Sequence, residues 1–225
     1  MSSVNPKIAK GIVAAIFAVI IVIIGASYSS IHKTTSPGNI NPDSILPPSE
    51  TTGFIPEKII GNPDEAELVL YEYVDFSCIH CAEWNREINK QIAEYDGKIA
   101  LVFRSFNLGS KNGALAAQAA TSAQILGYFK EYPDLRFATP PEWLHEEESD
   151  LLNLLVKYFG QASNGTGDTE KFKEDKKRDS VKARLEFEQK LGKKINLTGT
   201  PTFRINNKTI ELDELVETIK TRLNN

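Results

Sequence analysis

The stretch YVDFSCIHCAEW, residues 73–84, holds Cys78 and Cys81, the only two cysteines in a chain of 225 residues. Just before them, ELVLYEYVDF (67–76) is rich in Val, Leu and Tyr and reads as a buried strand. From Ile79 on, IHCAEWNREINKQIAEYD (79–96) sets Trp84, Ile88 and Ile92 at helical spacing. The cysteine pair therefore opens a helix that follows a strand. A structural zinc ion would need four Cys or His ligands, and no second cysteine pair exists. A static disulfide across two intervening residues would constrain the unfolded chain least of all loops. A redox pair fits the placement best. Free N–H groups and the helix dipole at the start of a helix stabilise a thiolate at Cys78. Cys81, one turn on, is set to attack a mixed disulfide formed there.

His80, between the cysteines, is either a surface turn residue or a donor and positive charge for the Cys78 thiolate; the C-x-H-C pattern favours the second. A further stretch, TGTPTF (198–203), places Thr200 and Pro201 just ahead of a short apolar run. Together these segments resemble the DsbA-like oxidoreductases of the thioredoxin superfamily, over about residues 58–223. The resemblance implies a cis peptide at Thr200-Pro201 facing the cysteines, with backbone beside it that pairs with an extended substrate. It also implies a part for Glu72, six residues before Cys78, where the superfamily often carries a buried acid. Strand alternation would allow Glu72 an exposed face instead. If buried, its pKa rises and it can shuttle the Cys81 proton. Asp75, at the strand end, is expected to be solvated. Ile79 stands where many strongly oxidising members have proline, and is counted with Thr200 and Pro201 as substrate-binding.

Further out, KIALVFRSF (98–106) reads as a second strand, so strand, helix and strand imply a right-handed crossover and a parallel pair. From 111 to about 192 the pattern is helical. NGALAAQAATSAQILGYFKEY is one helix, a second is opened by Pro140-Pro141, and EKFKEDKKRDSVKARLEFEQKLG holds one or two more. That length exceeds any simple connection and predicts a helical subdomain inserted into an α/β domain. Asn206-Asn207 between apolar-polar runs predicts a tight hairpin, and a last helix covers about 212–223. The fold class expected is a thioredoxin-like α/β domain over 55–225 with a helical insertion at about 111–192.

The N-terminal end differs in kind. Between Lys10 and Lys33 lie 22 residues without a charged side chain, dominated by Ile, Val and Ala. This predicts a transmembrane anchor at 11–28 rather than a cleaved signal peptide, with residues 1–10 cytoplasmic and the remainder outside the membrane. Residues 29–54, rich in Ser, Thr, Pro and Asn, are expected to be a flexible linker, with His32 solvated in it. Net charge is −4, and the charge runs mix signs or are short, which argues against nucleic-acid binding.

The function expected is an extracytoplasmic, single-pass, membrane-anchored thiol–disulfide oxidoreductase that forms disulfides in exported proteins. Cys78, Cys81, His80 and Glu72 would form the catalytic set, without metal or organic cofactor. The resemblance implies a quinone-linked membrane partner that reoxidises the pair, and the chain is expected to be monomeric. Two alternatives stand: a reductase or isomerase running the other way, and a peptide-binding module whose disulfide is a static staple.

Overall fold

A computed structural model describes residues 40–132 and 146–224. The expected anchor at 11–28, most of the linker, and Pro140, Pro141 and His145 lie outside the described residues. Among those described, no helix is long and apolar enough to cross a membrane. Residues 41–225 form one compact unit.

Its centre is a five-stranded sheet. The strands are β1 (Lys58–Ile60), β2 (Leu68–Val74), β3 (Ile99–Ser105), β4 (Thr202–Ile205) and β5 (Lys208–Ile210), in the order β1-β3-β2-β4-β5. β2 and β3 pair in parallel, as a strand–helix–strand crossover requires, and the other pairings are antiparallel. The helix between them is α1 (Ile79–Glu94). β2 lies mid-sheet and all but one of its residues are buried, which explains its near-continuous apolar run. In β2 the register sets Glu72 beside Phe103 on one side and Phe203 on the other.

Among the described residues, four helices lie between β3 and β4: α2 (Lys111–Ile125), α3 (Glu148–Ala162), α4 (Thr169–Asp175) and α5 (Asp179–Lys194). They form the helical insertion. α3 begins at Glu148, later than the proline pair suggested. The charged stretch after it divides into two helices, the first capped by Asp168, whose side chain accepts from Lys171 N. In the hairpin, Asn206 and Asn207 both hold positive φ, 49° and 65°, as a two-residue turn demands. After it, a 3₁₀ turn at Leu212–Glu214 leads into α6 (Leu215–Leu223).

The flexible linker expected up to residue 54 is corrected over its last part. Residues 41–54 lie against the domain, held by charged side chains far off in sequence. Asp43 pairs with Arg204 at 2.8 Å. The Arg104 guanidinium donates to the carbonyls of Pro42 and Ser44 and to Glu57. A 3₁₀ turn at Glu50–Thr52 ends on Gly53 at φ 60°, so close to the Ser180 backbone on α5 that a Cβ would collide with it. Beneath this strap runs a buried ion network. Glu57 accepts from Arg104 and Arg184, and Glu188 accepts from Lys58 at 2.6 Å, from Arg184 at 2.7 Å and from the Ser105 amide at 2.7 Å. Lys58, Arg104, Arg184 and Glu188 are all fully buried. Charges so placed are stable only while each has its partner.

Candidate active site

β2 delivers the cysteine loop and α1 receives it. Cys78 is the N-cap residue of α1, with extended backbone at φ −82°, ψ 125°. Its sulfur is half-buried, whereas Cys81, inside the first turn, is fully buried, and both are free thiols. The Thr200-Pro201 peptide is cis, and the Cys78 thiol reaches the Thr200 carbonyl at 3.3 Å. β4 pairs with β2, so the register of two adjacent strands brings residues 78 and 200 together across the fold.

The two sulfurs are driven apart in acidity. The Cys81 thiol donating to Cys78 does most to lower the Cys78 pKa, to about 5. Burial opposes this, and the backbone N–H of Cys81, the Thr200 side chain and the backbone N–H of His80 add to the lowering. The Thr200 hydroxyl is buried and has no other hydrogen-bond partner, so it is at hand for the thiolate. Burial pushes Cys81 far above the ordinary thiol range, and its bond to Cys78 and the charge of Glu72 push the same way. At neutral pH the reduced pair therefore holds one half-buried nucleophile and one protonated reserve.

Glu72 is fully buried, and neither carboxylate oxygen has a hydrogen-bond partner. Burial, and secondarily the negative charge of Cys78, raise its pKa to about 8. Of the two orientations the strand pattern allowed, the interior one is found. His80 meets expectation as a charge. Its ring is exposed and sits 3.0 Å from Glu83, which raises its pKa, and the negative charge of Cys78 is among the further causes that raise it. The backbone N–H of His80 is the group that hydrogen-bonds the sulfur. Ile79 is exposed beside Cys78, at 49%. Asp75, expected to be solvated, is buried. Its carboxylate accepts from Ser77 N at 2.8 Å, Ser77 Oγ at 2.5 Å and Leu108 N at 2.8 Å. Leu108 itself, 54% exposed, carries no sequence signal of its own; only the fold brings it to the cysteine loop.

A family model described as thioredoxin matches residues 55–225. The chain belongs to the thioredoxin family. It is similar to the probable disulfide bond formation protein D of Bacillus anthracis, 26% identical over 215 residues, 92% of this chain and 90% of that protein. It is also 28% identical to disulfide bond formation protein D of Bacillus subtilis, over 71% of this chain and 74% of that one. In fold it resembles oxidised BdbD from Bacillus subtilis, with a TM-score of 0.62 at 23% identity, covering 79% of this chain and 96% of that one. It likewise resembles alpha-DsbA2 from Wolbachia pipientis, with a TM-score of 0.59 at 20% identity over 72% and 85% of the two chains. These relatives bear out the sequence reading of a DsbA-like thiol–disulfide oxidoreductase.

Proposed function

We propose that this thioredoxin-family protein oxidises thiols of exported proteins through Cys78 and Cys81, with Cys78 as the sulfur that exchanges with substrate. The observation that supports this most directly is the acidity split between the two sulfurs. A thiolate stable near pH 5 leaves readily from a mixed disulfide. In the forward step a substrate thiolate attacks Cys78 Sγ of the disulfide, and Cys81 Sγ departs with the electron pair. Protonated Glu72 supplies the proton that Cys81 then holds. A second substrate thiolate attacks the substrate sulfur of the mixed disulfide, a substrate disulfide forms, and Cys78 leaves as a thiolate. The enzyme is then reduced by two electrons and must be reoxidised. A quinone-linked membrane protein is the proposed acceptor.

Thr200, Pro201 and Ile79 are proposed to line the substrate path, since the Thr200 carbonyl meets the Cys78 sulfur and the exposed Ile79 follows Cys78 in the chain. The protein acts outside the cytoplasm as a monomer, tethered through the apolar segment 11–28. The names of its relatives support such a location, and disulfides persist there. The test is the reduction potential of the full chain, equilibrated with glutathione buffers. A value near about −120 mV supports disulfide donation, and one near about −270 mV sinks it in favour of a reductase.

A further inference from the structure

The mechanism leaves unused a buried acid next to the cysteines. Asp75 sits three residues before Cys78 and is 3% exposed. Its two oxygens face different segments. Oδ1 holds the cysteine loop, through Ser77 N at 2.8 Å and Ser77 Oγ at 2.5 Å. Oδ2 holds the loop after β3, through Leu108 N at 2.8 Å. The Asp75 carbonyl also accepts from Cys78 N at 2.9 Å, so both ends of this residue constrain the reactive cysteine.

The second loop is in turn fixed to the helical insertion. Asn107 N donates to Gln189 Oε1 at 2.9 Å, and Gln189 Nε2 donates back to the Asn107 carbonyl at 3.2 Å, from α5. α2 closes the arrangement from the other side. A Cβ on Gly113 would lie 2.7 Å from both Asp75 Oδ1 and Ser77 Oγ, so helix and clasp meet with no room for a methyl group.

We propose that Asp75 is a positioning residue that locks the Cys78 loop onto the insertion, holding the sulfur where the N–H groups of α1 and Thr200 favour its thiolate. The inference rests on Cys78 being the exchanging sulfur. It adds that the insertion, through one carboxylate, sets how acidic that sulfur is. Asp75 does not touch the sulfur or the substrate.

A change of one atom tests this. Asp75→Asn keeps one oxygen for Ser77 but turns an amide N–H toward Leu108 N–H, donor against donor. The Cys78 thiolate is followed by ultraviolet absorbance and by alkylation rate against pH, on the reduced full chain. Loss of position raises the Cys78 pKa by about one unit, which is about tenfold less thiolate well below the pKa. Were Asp75 acting only as a negative charge, its removal would lower that pKa. The sign therefore separates the two roles. Gly113→Ala retains the carboxylate and its charge but displaces it, and a rise of the same sign is expected. If Asp75→Asn does not fold, Gly113→Ala decides alone. An unchanged or lowered Cys78 pKa overturns the proposal. A wild-type Cys78 that titrates in the ordinary thiol range overturns the site reading instead, whatever the variants do.

Discussion

Replacing Glu72 by Gln gives the sharpest pH-dependent effect expected of this molecule. The Glu72 carboxyl is fully buried and has no hydrogen-bond partner, and its folded pKa stands near 8 against an ordinary 4.5. Below pH 4.5 it is protonated folded and unfolded alike, and costs nothing. Between 4.5 and 8 the unfolded chain ionises while the folded one does not, so stability falls as pH rises. Above 8 the buried carboxylate is charged and the cost is complete. A separation of about 3.5 units corresponds to about 5 kcal/mol, and to about 3 kcal/mol at pH 7. Glu72→Gln is of similar size and cannot ionise. Urea denaturation of the reduced variant and parent should give equal stability at pH 4, with the variant ahead by about 3 kcal/mol at pH 7 and about 5 at pH 9. Titration of Cys78 is common to both proteins and largely cancels in the difference. The gap should narrow when both are oxidised, because the Cys78 charge that helps raise the Glu72 pKa is then gone. A difference constant within about 1 kcal/mol from pH 4 to 9 would refute the reasoning, since it would mean that Glu72 ionises as an exposed acid does.

Cys81→Ser should accumulate mixed disulfides with substrate at Cys78, seen as a mass shift on non-reducing gels, because the buried resolving sulfur is lost. Cys78→Ser should accumulate none. His80→Ala should raise the Cys78 pKa by less than about one unit, read from alkylation against pH, because the ring pairs with Glu83 while the backbone N–H that serves Cys78 stays. A chain starting at residue 55 should be less stable than one starting at 41 by about 3 kcal/mol or more in urea, since it strips charge-assisted partners from Arg104 and Arg204.

How much the sequence disclosed depends on how far each residue's partners lie. β2, α1 and β3 were readable because their burial pattern is local: an apolar run, a helical period, a second run. The cysteine placement at a helix start followed from the same signals, and Thr200-Pro201 from resemblance. β1 was not signalled. Glu57 and Lys58 look like surface residues, and only Arg104, Arg184 and Glu188, 47 to 130 residues away, make them interior ones. Residues 41–54 misled for the same reason. Their apolar content is low, and Asp43 finds Arg204 across 161 positions. Asp75 looked solvated because a polar residue at a strand end normally is, and Leu108 N, its distant partner, belongs to the backbone and leaves no trace in residue type.

The ion network beneath the strap bears on how this sequence can vary. Lys58, Arg104 and Arg184 share Glu57 and Glu188 between them, drawn from the residues around β1, from β3 and from α5. Losing any one member strands a charge in the interior, so no single replacement there is mild. The five positions behave as one unit of inheritance, passing to descendants intact or rebuilt together with apolar side chains. A chimera with a relative must draw those three segments from the same parent, even though α5 follows β1 by more than a hundred residues.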